Sequence, residues 1–196
     1  MERRVAWLEK QIKRLLARDS HIAKPVWVDI DFPLVAKTTG AGLPNYNTLQ
    51  GNLRMLQWAV NDALQLDTRE LIHGWKEGDT AYWHCHIVTG VSDGTDRRLA
   101  FSLEFTKANL DEVLAANITL TSPDYIIPAG MPALTHLLVP IGTANMTGYR
   151  IGGHIKGRFK RIAPSAGTAP SANPFCEMVQ MHVLTDSAGS REIGTK

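Results

Sequence analysis

Two hydrophobic periods divide this chain. Apolar residues recur at Met1, Val5, Leu8, Ile12 and Leu15, in steps of 4, 3, 4 and 3. That is the a/d repeat of a supercoiled helix, whose seam needs partner chains. From Pro25 the period becomes two: Val26, Val28, Ile30 and Phe32 alternate with Asp29 and Asp31, which predicts a strand. Thr38 to Asn52, rich in Gly, Thr, Asn and Pro, reads as a long loop. Leu53 to Leu66 follows as strand and turn, because Leu56, Trp58 and Val60 alternate and Asn61-Asp62 is a turn signal.

Glu70–Trp75 and Ala81–Thr89 read as a hairpin closed by the five residues Lys76 to Thr80. Leu99, Phe101, Leu103 and Phe105 alternate most cleanly, and further strands are predicted at 117–121, 133–141, 149–162 and 175–186. Eight or nine short strands separated by Gly, Pro, Asp and Ser turns predict a mainly β protein. Its expected form is an antiparallel, jelly-roll-like β-sandwich over residues 25–196. Residues 1–19 form the expected coiled-coil helix and 20–24 a linker.

Within the seam, Arg4, Val5, Leu8 and Glu9 match a pattern of parallel three-stranded coiled coils. There an arginine stem packs over the apolar layer and its head reaches a neighbouring glutamate. With Ile12 and Leu15 these residues predict a homotrimer. An amphipathic helix docked on its own domain fits the same seam, and β-branched a positions with Leu at d would by themselves favour two strands. The seam spans roughly two and a half heptads, a marginal length for an isolated helix, so the body or a larger assembly must help hold the chains together.

Composition narrows the functional classes. At 196 residues and 44% hydrophobic content the chain can bury one sizeable core. A net charge of +2 gives no reason to expect specific nucleic-acid binding. Cys85 and Cys176 offer neither a disulfide framework nor a metal knuckle, and no apolar leader or membrane-length run is present, which predicts assembly in a cytoplasm without membrane insertion.

His84 and His86 flank Cys85, so strand geometry places both imidazoles on one face, where a pair can share a metal ion. With Gly78 they reproduce the start of the cupin motif. The carboxylate position, however, holds Gly90 and Val91, and Met131 to Ala133 stand where the last histidine belongs. A metal ligated by His-x-His from three chains around an axis needs no carboxylate, and packed histidines with satisfied ring nitrogens need no metal. Arg150, Lys156, Arg158 and Lys160 form a basic stripe opposite Tyr149, Ile151, Ile155 and Phe159. It suits an anionic ligand, or equally an edge strand guarded against aggregation. Trp58, Trp75 and Trp83 are candidates for stacking on sugars or for the core.

Several segments, in one order over roughly residues 25–196, resemble a family of tailed-bacteriophage structural proteins. They are Gln57 to Asp62, His73 to Gly78, His84-Cys85-His86, Lys160-Arg161-Ile162, Asn173-Pro174-Phe175 and Asp186 to Arg191, running on to Lys196. The resemblance implies a non-enzymatic virion component, such as a head fibre, tail fibre or capsid decoration protein, with no cofactor. Its partners would be other virion proteins of the capsid, the portal or collar, or the tail. A carbohydrate-binding module for host adsorption, which would contact a surface glycan, and a cupin-like metalloenzyme are the alternatives.

Overall fold

The computed structural model describes residues 25–35 and 42–186, all of which fall in strands, turns and loops. The predicted coiled coil, with Arg4, Val5, Leu8, Glu9, Ile12 and Leu15, lies outside the described residues, as do the linker and the chain beyond Asp186.

Thirteen strands are described: β1 (Val26–Phe32), β2 (Leu34–Val35), β3 (Asn45–Gln50), β4 (Leu53–Gln57), β5 (Ala63–Leu66), β6 (Arg69–Glu70), β7 (Ala81–Val88), β8 (Arg97–Ala108), β9 (Ile118–Thr121), β10 (Tyr125–Ile127), β11 (His136–Ala144), β12 (His154–Ile162) and β13 (Phe175–Thr185). All pairings are antiparallel, and four of them nest. β1 pairs with β13, β5 and β6 with β12, β7 with β11, and β8 with β9 and β10. Further pairing of β13 with β7 and of β12 with β8 closes the nest into two sheets. One runs β11-β7-β13, with β4 and β1 both on the far edge of β13 and β3 beyond β4. The other runs from β10 and β9 through β8 and β12 to β5, β6 and β2.

The sheets share one core because the alternating strands present their apolar sides to each other. Trp83 of β7 packs its ring 4.8 Å from Phe32 of its own sheet and 5.2 Å from Phe105 of the other. Phe159 stacks on Phe101 at 5.1 Å and meets the edge of Trp58 at 5.2 Å. Both cysteines are free and buried in this core.

A buried guanidinium closes one corner. Arg161 donates to the carbonyl of Trp58 and, at 2.8 Å, to Asn173 Oδ1. Around it the backbone of Trp58 donates to Pro174 O at 2.9 Å, Asn61 to Arg161 O at 2.9 Å and Arg161 to Asp62 O at 3.0 Å. Asn61 has φ 76°, the left-handed turn geometry that asparagine tolerates. Burial pulls the Arg161 pKa down to about 10, against the opposing pull of Asp62, so the group remains a cation at neutral pH.

Several expected boundaries move. Residues 45–50 form β3 instead of loop; its side chains are nearly all exposed, so no apolar alternation marks it. Glu70–Trp75 does not form a hairpin with Ala81–Thr89. β6 joins β12 in the other sheet, while Trp75, fully buried, bridges to Thr185, and Lys76 donates to Leu184 O at 2.8 Å. Alternation shows that a residue faces the core but not which sheet carries it there. Tyr149 to Gly153 form turns, closed by Tyr149 N to Met146 O and Gly153 N to Arg150 O, so β12 starts only at His154. The predicted strand at 133–141 likewise starts later, at His136, and runs to Ala144.

Candidate functional site

The outer face of the six-stranded sheet gathers four histidines, two aspartates and a glutamine. β7 turns Ala81, Trp83, Cys85 and Ile87 inward, so Tyr82, His84 and His86 point outward. Register then sets their neighbours. β13 places His182 beside Tyr82 and Gln180 beside His84, and β1 places Asp29 beside His182 and Asp31 beside Gln180. β11 places Leu138 beside His86 and Pro140 beside His84.

Asp31, Gln180, His84, His86 and His136 form one hydrogen-bond chain across four strands, with His182 and Asp29 as a separate pair beside it. Gln180 Nε2 donates to Asp31 Oδ1 at 2.6 Å, so its amide oxygen faces the histidines. That oxygen lies 3.0 Å from His84 Nε2 and 2.7 Å from His86 Nε2. Both rings therefore carry their proton on Nε2. A neutral His86 then has a bare Nδ1, which accepts from His136 Nε2 at 2.8 Å, the two rings stacking at 5.0 Å. His182 Nδ1 pairs with Asp29 Oδ1 at 2.6 Å, and that oxygen also lies 3.8 Å from His84 Nε2. Burial holds the His84 pKa below 6.5, an effect only partly opposed by the Gln180 bond and the Asp29 charge.

The predicted His84/His86 pair is thus brought together, but its two Nε2 atoms converge on an amide oxygen. A metal ion there would have to displace both protons and swing Gln180 aside. Among the described residues no group of three or more His, Cys, Asp or Glu is placed to hold a metal. The cupin ligand set is not assembled either. A β-carbon at Gly90 would come within 2.6 Å of Asn173 O, so no side chain fits at that position, and the neighbouring Val91 supplies no carboxylate.

Beside the histidines lies an aromatic cluster that the sequence reading missed. Trp27 stacks on His182 at 4.9 Å and meets Tyr82 edge-on at 5.3 Å, and the two are 45% and 44% exposed. The available signal was Trp27 alternating with Asp29 and Asp31, an aromatic residue on the polar side of an amphipathic strand. Next to it runs a groove of about 380 Å³ lined by Tyr82, His84, Leu138, Pro140, Thr143 and His182. Trp58, Trp75 and Trp83, the residues proposed for sugar stacking, are all fully buried and belong to the core.

On the opposite sheet Lys156 and Arg158 are exposed along β12, with Lys160 partly so. Arg150 is not on this stripe: it sits in the turns before β12, its backbone donating to Asn109 Oδ1 at 2.8 Å. Arg158 lies in register with Glu104, and both line a 240 Å³ hollow with Asn117 and Lys156, so the stripe is mixed in charge.

No family model and no curated protein sequence matches this chain. Two solved structures show a distant likeness in shape. "Structure of infectious bursal disease virus Gx strain" is 12% identical with a TM-score of 0.37, covering 87% of this chain and 34% of that one. "Structure of infectious bursal disease virus Gt strain" is 11% identical with a TM-score of 0.36, covering 83% and 32%. The chain therefore spans about a third of the length of either.

Proposed function

We propose that this chain is a non-enzymatic structural component of a tailed-phage virion, a trimeric fibre or decoration protein. A jelly-roll body is attached to the head or tail through N-terminal helices. The nested pairing of first strand with last, and so inward, is the order a rolled-up jelly roll requires.

The observation that carries the reading is where the residues behind the phage resemblance lie. Gln57 to Asp62, Lys160 to Ile162 and Asn173 to Phe175 are far apart in sequence, yet they meet at the Arg161 corner, where Gln57 Nε2 also donates to Asn173 O at 2.8 Å. His73 to Gly78 is sewn to the last strand through Trp75 and Lys76, and Glu77 accepts from the backbone of Ile151 at 3.0 Å. These motifs hold strands together, which is what a durable shell module would use them for. Function is then multivalent attachment, in which three linked bodies gain about 10²–10⁴ in avidity where geometry lets all engage.

Light scattering tests the assembly. The full chain is expected at three times its 21.6 kDa mass. Ile12→Asp, which sets an unpaired charge in every chain's seam, is expected to shift it toward monomer. A monomeric unmutated chain at micromolar concentration contradicts self-trimerisation.

A carbohydrate-binding adsorption module is the second reading, favoured by one observation. Trp27 and Tyr82 are exposed together beside a groove carrying His84 and His182.

A further inference from the structure

We infer that the outer face of the six-stranded sheet is the surface through which copies of this chain pack against one another, with the groove between Tyr82 and Leu138 receiving an apolar side chain of the neighbouring copy. This rests on the trimeric reading above.

The first argument is the character of the face. Trp27, Tyr82 and Leu138 point outward from three different strands and are 45%, 44% and 52% exposed. The groove itself is walled by Leu138, Pro140 and the Tyr82 ring, more carbon than hydrogen-bonding atoms, which suits an apolar side chain better than the hydroxyls of a sugar. Trp27 also has one ring face committed to His182, which leaves less of a platform for a sugar.

The second argument is the cost of covering it. Each of the imidazoles and carboxylates between these residues already has a partner on the same face: His84 and His86 at Gln180, Gln180 at Asp31, His136 at His86, and His182 at Asp29. Internally paired groups can lose water far more cheaply than unpaired ones. The outer face of the other sheet differs, because Lys156 and Arg158 stand exposed there with their charges toward solvent.

The third argument is position. Residues 1–24 enter the body at Pro25, next to Val26 and Trp27 on the rim of this face. Linker residues 20–24 span at most about 17 Å, so helices joined at the seam would hold the β1 ends of neighbouring copies close together. That raises the local concentration of one face near the next. The partner identified by this geometry is a second copy of the chain.

The test uses the full chain at neutral pH, measuring association by sedimentation and folding by far-ultraviolet circular dichroism. Leu138→Arg and Tyr82→Arg are the two face variants, and Lys156→Glu on the other sheet is the control. The inference expects a trimeric parent, face variants that keep the parent spectrum while dissociating at concentrations at least about ten-fold higher, and an unchanged control. A monomeric parent overturns the trimeric reading and the inference with it. A trimeric parent whose folded face variants dissociate like the parent overturns the inference alone. A glycan array that the parent binds and folded Leu138→Arg does not, with trimerisation unchanged, assigns the face to sugar instead.

Discussion

Arg161 shows how much one side chain can organise. Its guanidinium serves a carbonyl on one segment and an amide oxygen on another, in a site 1% exposed. Arg161→Met leaves the Trp58 carbonyl and Asn173 without that donor, and is expected to cost about 3 kcal/mol or more in urea unfolding. Arg161→Lys is expected to rescue little, since a single ammonium lacks the planar fork. A loss under about 1 kcal/mol would contradict the corner's role.

His84 makes a pH prediction. Burial holds its folded pKa below the 6.5 of the unfolded chain, so as pH falls through 6.5 the unfolded state takes up the proton first. Stability from this residue is therefore full above 6.5 and lost toward the lower, folded value. Melting curves at pH 7.5 and 5.5 are expected to differ less for His84→Gln than for the parent; equal differences would show that His84 is not the group responsible. Gly90→Ala should also destabilise, by about 1–3 kcal/mol, because the added methyl meets Asn173 O. An unchanged urea midpoint would contradict that contact.

At the scale of elements, what could be read from sequence followed burial. Strands with one apolar side, such as β8 with Leu99, Phe101, Leu103 and Phe105, were legible because the core imposes period two. β3 was not, since almost all its side chains face solvent and its partner strand alone specifies it. The Glu70–Trp75 hairpin failed for a related reason: a short alternating run can be satisfied by either sheet, and the buried indole of Trp75 drew its segment to Thr185. At the site, the His84/His86 pair followed from spacing within one strand. Gln180, His182, Asp29 and Asp31 come from other strands, and only register brings them there. Trp83 ties these elements across the core, and Trp83→Ala is expected to cost about 3–5 kcal/mol. A loss no greater than that of an exposed substitution would contradict a shared core between the sheets.

For the whole molecule, the division of labour runs through the body. The corner built around Arg161 joins three segments far apart in the chain, and the outer face of the six-stranded sheet collects aromatic and paired polar groups. The most direct test of the virion proposal is to express the chain's gene from its native genome and apply quantitative mass spectrometry to density-banded, protease-washed virus particles from that source. The account predicts that the chain co-purifies with the major shell protein at a fixed ratio, in a copy number divisible by three. Its presence only in the soluble fraction of infected cells, and its absence from banded particles, would contradict it.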